Sequence, residues 1–193
     1  METFPVDRGD DWFLYQSPFI QKERRNLVCD VNVAHKGFSE AFPHLGASLQ
    51  VTNGKDTSGY SLYNVFALTS PSPYFYQLYR IFRNIVRLHL GDRPIWFESW
   101  MNVHSPETVL DWHGHAFDYH GYISIDPQDT TTVFKDPDYQ IKNYPGQIYF
   151  GPGGRMHKVS VDSDFTQPRI TLGFDIHLNP ETPDGTFALL PLL

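Results

Sequence analysis

Short segments rich in Tyr, Phe, Ile, Val and Thr recur along the C-terminal half of the chain. Proline and glycine lie between them, as expected of turns. Aromatic and β-branched residues favour the pleated, half-buried surface of a strand, and strands that follow one another this closely predict a sandwich or barrel. A jelly roll of this kind leaves an open mouth where a ligand can bind. The predicted strands are Ile95–Val103, Gly121–Ile125, Thr131–Phe134, Gln147–Phe150, Lys158–Val161 and Arg169–Ile176.

One helix is predicted before the strands, over Pro73–Leu90. Ser72 suits the N-cap, Pro73 the first helical position and Gly91 the position after the last turn. Apolar residues recur three and four positions apart, so one face of the helix is expected to pack on a sheet. This face comprises Phe75, Leu78, Phe82, Ile85, Val86 and His89.

The first seventy residues have no single pattern. They contain turn signals at Asn53-Gly54 and Ser58-Gly59 and short apolar runs such as Leu27–Cys29, which indicates mixed structure. A chain of 193 residues fits one domain. We therefore expect a single domain over residues 1–193. Residues 1–92 would form an N-terminal extension with the helix, and residues 93–193 the β core.

Composition and charge exclude several classes of protein. No apolar run approaches the roughly 20 residues that span a bilayer, and the acidic N-terminus has no apolar segment typical of a secretory signal. Cys29 is the only cysteine, so an intramolecular disulfide is excluded and a reducing cytoplasm is expected. A net charge of −7 argues against nucleic acid as a partner. We expect a small molecule or a peptide side chain as the partner, and the oligomeric state stays open.

The sharpest local pattern is His113-Gly114-His115. On an extended strand, residues two apart project from the same face, so both imidazoles could bind one metal ion. His157 follows a glycine-rich turn at the start of a predicted strand, and Arg169 and Thr171 share a face of the last long strand. Each feature alone fits an ordinary strand-end histidine or a surface arginine better than a site.

The combination resembles the Fe(II)/2-oxoglutarate-dependent oxygenases, in particular the branch with His-x-His in place of His-x-Asp. The resemblance covers about residues 95–178. It rests on Trp100–Val103, His113–His115, Val133–Pro137, Pro145–Phe150, Met156–Val159 and Arg169–Phe174.

The resemblance implies a mainly β fold, a double-stranded β-helix (jelly roll, cupin-like) with N-terminal helices packed on its outer sheet. It also implies Fe(II), O₂ and 2-oxoglutarate as co-substrate. His113 and His157 match the two iron histidines, and His115 stands where the carboxylate ligand usually is. Arg169 matches the residue that pairs with the distal carboxylate of 2-oxoglutarate, and Thr171 matches the hydroxyl beside it.

The third metal ligand stays open, because the chain has no His-x-Asp or His-x-Glu. We rank His115 first, Asp118 second and Asp111 third. Tyr122, Tyr149 and Asn102 are further candidates for binding the 2-oxo acid, and His120 could support a ligand from behind. The remaining histidines are expected to be structural or on the surface, namely His35, His44, His89, His104 and His177.

Three functions are compatible with these residues. The first is a hydroxylase that acts on a C–H bond and decarboxylates 2-oxoglutarate to succinate. The second is a cupin-like dioxygenase with iron on three histidines and no 2-oxo acid. The third is a jelly-roll binding module without catalysis. Arg169 distinguishes the first from the second, since only the first needs a partner for a carboxylate.

Overall fold

The computed structural model describes residues 3–41, 62–179 and 188–193. Within these ranges it contains three helices and ten strands. The helices are α1 (Pro18–Ala41), α2 (Val65–Leu68) and α3 (Pro73–Leu90). The strands are β1 (Phe4–Arg8), β2 (Phe13–Gln16), β3 (Trp96–His104), β4 (Tyr119–Asp126), β5 (Thr130–Phe134), β6 (Tyr139–Lys142), β7 (Gln147–Pro152), β8 (His157–Val161), β9 (Arg169–His177) and β10 (Leu190–Pro191).

The strands form two antiparallel sheets. The major sheet has seven strands in the order β1-β2-β7-β4-β9-β3-β10, and the minor sheet has three in the order β6-β5-β8. Aromatic and apolar side chains from both sheets pack together, among them Tyr122 of β4, Phe134 of β5 and Tyr149 of β7. The fold is mainly β and of the double-stranded β-helix class, as the sequence predicts.

The two faces of the major sheet differ in character because side chains alternate along each strand. On β9, Ile170, Leu172, Phe174 and Ile176 belong to the hydrophobic core together with residues of α1 and α3. The intervening residues of β9 face the space between the sheets, and they are polar except for one glycine. This inward set comprises Arg169, Thr171, Gly173, Asp175 and His177.

Helix α3 has the predicted bounds and caps. The Ser72 hydroxyl accepts hydrogen bonds from the backbone N–H groups of Tyr74 and Phe75, both at 3.2 Å. Gly91 ends the helix with a φ of 73°, in the left-handed region that favours glycine.

Helix α1 was not predicted from the sequence. Ile20, Leu27 and Val31 are its only fully buried residues, a sparse stripe along 24 positions, and periodicity needs a denser pattern to be recognised. The turn signals at Asn53-Gly54 and Ser58-Gly59 lie outside the described residues.

The six predicted strands are confirmed as β3, β4, β5, β7, β8 and β9, with ends that differ by about one or two residues. Four short strands were missed, namely β1, β2, β6 and β10. Two of these, β1 and β2, extend the major sheet beyond β7, so residues of the N-terminal part belong to the same sheet as the core. Over the described part of the chain, no helix combines the length and apolar character needed to cross a membrane.

We predict opposite effects from alanine at two glycines. A Cβ at Gly173 would lie 2.4 Å from Cε2 of Trp100, so Gly173→Ala should lower the free energy of unfolding by about 1–3 kcal/mol. At Gly37 in α1 a Cβ would meet nothing within 4 Å, so Gly37→Ala should raise it by about 0.5–1 kcal/mol. Chemical denaturation measures both values. An unchanged stability for Gly173→Ala would show that Trp100 does not pack against the β9 backbone.

Candidate metal centre

Backbone pairing brings His113 and His157 together. His157 is the first residue of β8, and its N–H donates to the carbonyl of His113 at 2.8 Å, while the His113 N–H donates back at 3.0 Å. Residues directly opposite one another in such a pair project from the same face. The two imidazole centroids are therefore only 4.2 Å apart.

The His-x-His segment is not a regular strand, which corrects the expectation from its spacing. His113 makes an isolated bridge to His157, and the chain then continues irregularly until β4 begins at Tyr119. The irregular path carries His115 away from β8 and towards the inner face of the major sheet. There its Nδ1 lies 2.9 Å from Oδ2 of Asp175, and its ring stacks on Trp100 with centroids 5.4 Å apart.

Hydrogen bonding assigns the same tautomer to all three imidazoles. Nδ1 of His113 lies 2.7 Å from the carbonyl of Asp111, and Nδ1 of His157 lies 3.0 Å from the carbonyl of Arg155. Because a carbonyl or carboxylate can only accept, each Nδ1 must carry the proton and donate it. The lone pair then lies on Nε2, and Nε2 of His115 is buried without a hydrogen-bond partner among the described residues.

His113, His115 and His157 each place a ring nitrogen within 4.8 Å of the other two, as ligands of one metal ion require. Burial is the main reason why the pKa values of His113 and His157 lie below the usual histidine value, that of His157 far below it. Both rings are therefore neutral at physiological pH, which is the form that coordinates a metal. This donor set fits Fe(II), Zn²⁺ or a similar divalent transition metal.

The two alternative carboxylates have other partners. Oδ2 of Asp118 accepts a hydrogen bond from the backbone N–H of Leu178 at 2.8 Å. Oδ1 of Asp111 accepts one from the N–H of Trp112 at 2.8 Å, on the exposed surface. Neither carboxylate belongs to the groups of potential metal ligands that the described residues form. The geometry therefore favours His115 over both.

Arg169 lies buried at the far end of the inner face. It donates to the hydroxyl of Thr171 at 3.1 Å and to that of Thr130 at 3.4 Å, and within the described ranges no carboxylate pairs with it. Burial lowers its pKa to about 10, which still leaves it charged at neutral pH. A guanidinium has five N–H donors, so most of its capacity is unused here.

A narrow pocket connects Arg169 to the three histidines. Its lining includes three other residues expected to bind a 2-oxo acid, namely Thr171, Asn102 and Tyr122. The amide of Asn102 donates to Thr171 at 3.3 Å, and its Oδ1 is buried with no partner in the described residues. The structure thus brings these four residues to one pocket, beside the predicted metal ligands. Tyr149, the other tyrosine expected to contact a 2-oxo acid, does not line this pocket, and its hydroxyl lies 2.7 Å from that of Tyr139.

A second pocket, of about 390 Å³, adjoins His113 and His115. Its other lining residues are uncharged, and they are Trp100, Leu110, Gly114, Ala116 and Phe117. Trp100, Leu110, His113 and His115 also line the narrow pocket, so the histidines stand between the two spaces.

Two acidic residues of the site were missed from the sequence. Asp175 accepts from Nδ1 of His115 and from Nδ1 of His120, both at 2.9 Å, and Glu98 lies opposite Asp175 on the neighbouring strand. The two-residue alternation that groups Arg169 with Thr171 also reaches Asp175. The same alternation leads from Asn102 back through Trp100 to Glu98. His120 contacts the site from behind His115, with stacked centroids 3.9 Å apart.

The remaining histidines have varied surroundings. His89 packs between Phe13 and Phe150, and its Nε2 lies 2.6 Å from the hydroxyl of Tyr15. His104 and His177 are buried at the two ends of the β3–β9 ladder, whereas His35 is partly exposed on α1. His44 lies outside the described residues.

Solved structures share this fold at low sequence identity. The non-heme monooxygenase ThoJ, in its nickel complex, matches with a TM-score of 0.53 and 11% identity, over 89% of this chain and 72% of that one. A 2OG-Fe(II) oxygenase family oxidoreductase from Burkholderia pseudomallei matches with a TM-score of 0.45 and 11% identity, over 55% of this chain and 59% of that chain. The α-ketoglutarate-dependent epimerase SnoN matches with a TM-score of 0.41 and 11% identity, over 64% and 73%.

No family model matches the sequence, and no curated protein matches it either. The match to ThoJ therefore shows the fold alone, a mainly β scaffold shared with a non-heme monooxygenase.

We predict that the metal-free protein loses stability as the pH falls from 7 to 5. The buried histidines have folded pKa values below the unfolded value of roughly 6.5, that of His120 at about 4, so the unfolded chain takes up protons first. Each such histidine contributes up to about 1.4 kcal/mol per pH unit below that value. Denaturant titrations at several pH values, with a chelator present, measure the slope.

Glu98 should stabilise the folded state as the pH falls, opposite to the histidines, so a variant of Glu98 provides the control. Burial and the charge of Asp175 raise its pKa to about 8, so between roughly pH 4.5 and 8 the folded state holds a proton that the unfolded chain releases. Glu98→Gln should therefore steepen the loss of stability on acidification. A stability that rises towards pH 5, or an identical slope in Glu98→Gln, would contradict these protonation states.

Proposed function

We propose that this protein is a non-haem iron oxygenase that uses 2-oxoglutarate and O₂ to hydroxylate a C–H bond of its substrate, releasing succinate and CO₂. One observation carries the proposal. Three imidazoles place ring nitrogens within 4.8 Å of one another beside a pocket, and the charged Arg169 lies buried at its far end with no acidic partner among the described residues.

The metal would be held by His113, His115 and His157. Each ring is fixed from behind by the hydrogen bond of its Nδ1–H, to Asp111, Asp175 and Arg155 respectively. Such bonds orient a ligand and make it a better donor. When bound, Fe(II) on three protein ligands supplies open positions where a 2-oxo acid and O₂ can react.

Arg169 would hold the distal carboxylate of 2-oxoglutarate. A buried guanidinium with unused donors is matched by a carboxylate, which can accept two parallel charge-assisted hydrogen bonds. Thr171 lies beside it, and Asn102 and Tyr122 would contact the remainder of the molecule. Removing Arg169 would leave that carboxylate buried and unpaired, which adds to the energetic cost.

The substrate would approach through the pocket of about 390 Å³ beside His113 and His115. The lining residues Trp100, Leu110 and Phe117 carry no charge. An uncharged, compact group of a small molecule or of a peptide side chain fits such a wall. A cytoplasmic location and the absence of nucleic acid as a partner stay predictions from composition.

Two alternatives differ in what they require of the site. A cupin-like dioxygenase with three histidines needs no partner for a distal carboxylate. Arg169 is buried and pairs with no carboxylate among the described residues, which favours the use of 2-oxoglutarate. A non-catalytic binding module needs no convergence of free Nε2 atoms.

We predict that 2-oxoglutarate binding depends on Arg169. Under argon, adding Fe(II) and 2-oxoglutarate together should produce a weak visible charge-transfer band that neither gives alone. Arg169→Ala should weaken 2-oxoglutarate binding by at least about tenfold, because a charged hydrogen bond contributes roughly 1.5–3 kcal/mol. Arg169→Lys should weaken 2-oxoglutarate binding less, because it keeps the positive charge and loses only the two parallel hydrogen bonds of the guanidinium.

Arg80, exposed on α3, provides the matched control, and Arg80→Ala should bind as wild type does. If the wild type gives no band, or if Arg169→Ala binds 2-oxoglutarate unchanged, the dioxygenase without a 2-oxo acid takes first place.

We also predict which side chain is the third ligand. His115→Ala should weaken metal binding by more than the 10–100-fold typical of losing a group behind a ligand. Asp118→Ala should leave the affinity close to wild type, because its carboxylate is bonded to the Leu178 backbone. Isothermal titration with Fe(II) under argon compares the two. Equal, large losses would mean that Asp118 is also a ligand.

A further inference from the structure

Three buried ionisable side chains lie in a row across the inner face of the major sheet. Asp175 on β9 is paired in register with Glu98 on β3 at one side and with His120 on β4 at the other. The exposed fractions of Glu98, Asp175 and His120 are 1%, 0% and 6%. Antiparallel partners share a face, so the three side chains meet behind His115.

Both oxygens of Asp175 are used by imidazoles. Oδ2 accepts from His115 and Oδ1 accepts from His120, each at 2.9 Å. Two N–H donors favour the ionised form of the carboxylate that accepts from them. Asp175 is therefore an anion in a dry part of the protein.

Glu98 is placed against this anion. Neither of its oxygens has a donor partner among the described residues, and both are buried. Two carboxylates in contact without water cannot both be charged at little cost. Glu98 is therefore the protonated carboxyl of the pair, and its pairing with Asp175 across β3 and β9 leaves its O–H in position to donate to Asp175. The pair carries one negative charge, and that charge is on Asp175.

We propose that Asp175, held by the protonated Glu98, supplies from behind His115 the negative charge that a carboxylate ligand supplies in a His-x-Asp centre. A carboxylate that accepts the Nδ1–H of a ligating imidazole increases the donor strength of Nε2. Asp175 and Glu98 are positioning residues here, because they act on the metal through His115. The inference rests on the proposed iron centre and deepens it.

The test compares isosteric variants by their affinity for Co(II) under argon, with Co(II) as a spectroscopic stand-in for iron. Asp175→Asn should weaken binding by about 10–100-fold and shift the visible absorption of the bound Co(II), because His115 becomes a poorer donor. Glu98→Gln keeps a donor towards Asp175 and should bind nearly as wild type, whereas Glu98→Leu should bind more weakly. Asp162→Asn, an exposed carboxylate paired with Lys142, is the matched control and should change nothing.

A second measurement does not depend on metal. In the metal-free wild type, proton NMR should show two imidazole N–H signals far downfield and protected from exchange, one from His115 and one from His120. Asp175→Asn should remove both from that region while thermal unfolding remains cooperative. Asp162→Asn should keep both signals.

The outcomes separate this inference from the proposed function. If wild type binds no Co(II) but shows both N–H signals, the iron centre is wrong and the hydrogen-bonded cluster stands as structure alone. If Co(II) binds and Asp175→Asn has wild-type affinity and spectrum, the inference is overturned while the centre survives. A stoichiometry of two ions per chain would also overturn it, because Asp175 would then be a ligand, with His115 and His120.

Discussion

The structure depends on the alternation of side chains along the central strands of the major sheet. One face of β3, β4, β7 and β9 is apolar and packs on the helices, and the other faces the minor sheet and carries polar side chains beside aromatic ones such as Tyr122 and Tyr149. Polar groups on a buried face must find partners, or the fold loses the free energy of their hydration. Asp175 does so with two histidines. Nε2 of His115 and Oδ1 of Asn102 have no partner among the described residues, and both belong to residues that line the site. The same alternation that builds the core thus concentrates unused bonding capacity where a metal and a co-substrate can take it up.

The main role of the minor sheet is to position His157. It holds His157 opposite His113 through two backbone hydrogen bonds, which are insensitive to the side chains around them. The turn before His157 is tied to the N-terminal part of the chain, because Arg155 bonds both oxygens of Asp11 at 2.9 and 2.8 Å and the hydroxyl of Tyr139 at 3.0 Å. The loop between β1 and β2 therefore helps to fix the proposed metal ligand His157, although the two are far apart in the sequence.

Local sequence patterns were sufficient to predict α3 and the six main strands, but not the contacts between residues far apart in the chain. Helix α3 and the six main strands have dense periodicity or clear turn residues, and they lie where the sequence predicts. The histidines and Arg169 could be found because their spacing resembles a known family. Asp175 and Glu98 could not, because their importance comes from the register between β3 and β9, which brings together residues far apart in the chain. A register of this kind is set by the whole sheet, and no short window of sequence contains it. Helix α1 was missed for a local reason, because its buried residues are too widely spaced to give a clear periodic pattern.

The charges of the proposed site bear on how a centre of three histidine ligands could accept 2-oxoglutarate. Fe(II) brings two positive charges and Arg169 one, while Asp175 brings one negative charge and Glu98 none. The remaining two positive charges equal the two negative charges of 2-oxoglutarate. In the proposed complex the buried site would therefore be neutral with its co-substrate, as it would be if a carboxylate bound the iron directly. An ionised Glu98 would leave a net negative charge in a dry pocket, and an asparagine in place of Asp175 would leave a positive one. Neutrality of the proposed site would thus depend on one carboxylate being ionised and its neighbour holding a proton. That division follows from the two imidazole N–H groups that Asp175 accepts and that Glu98 lacks among the described residues.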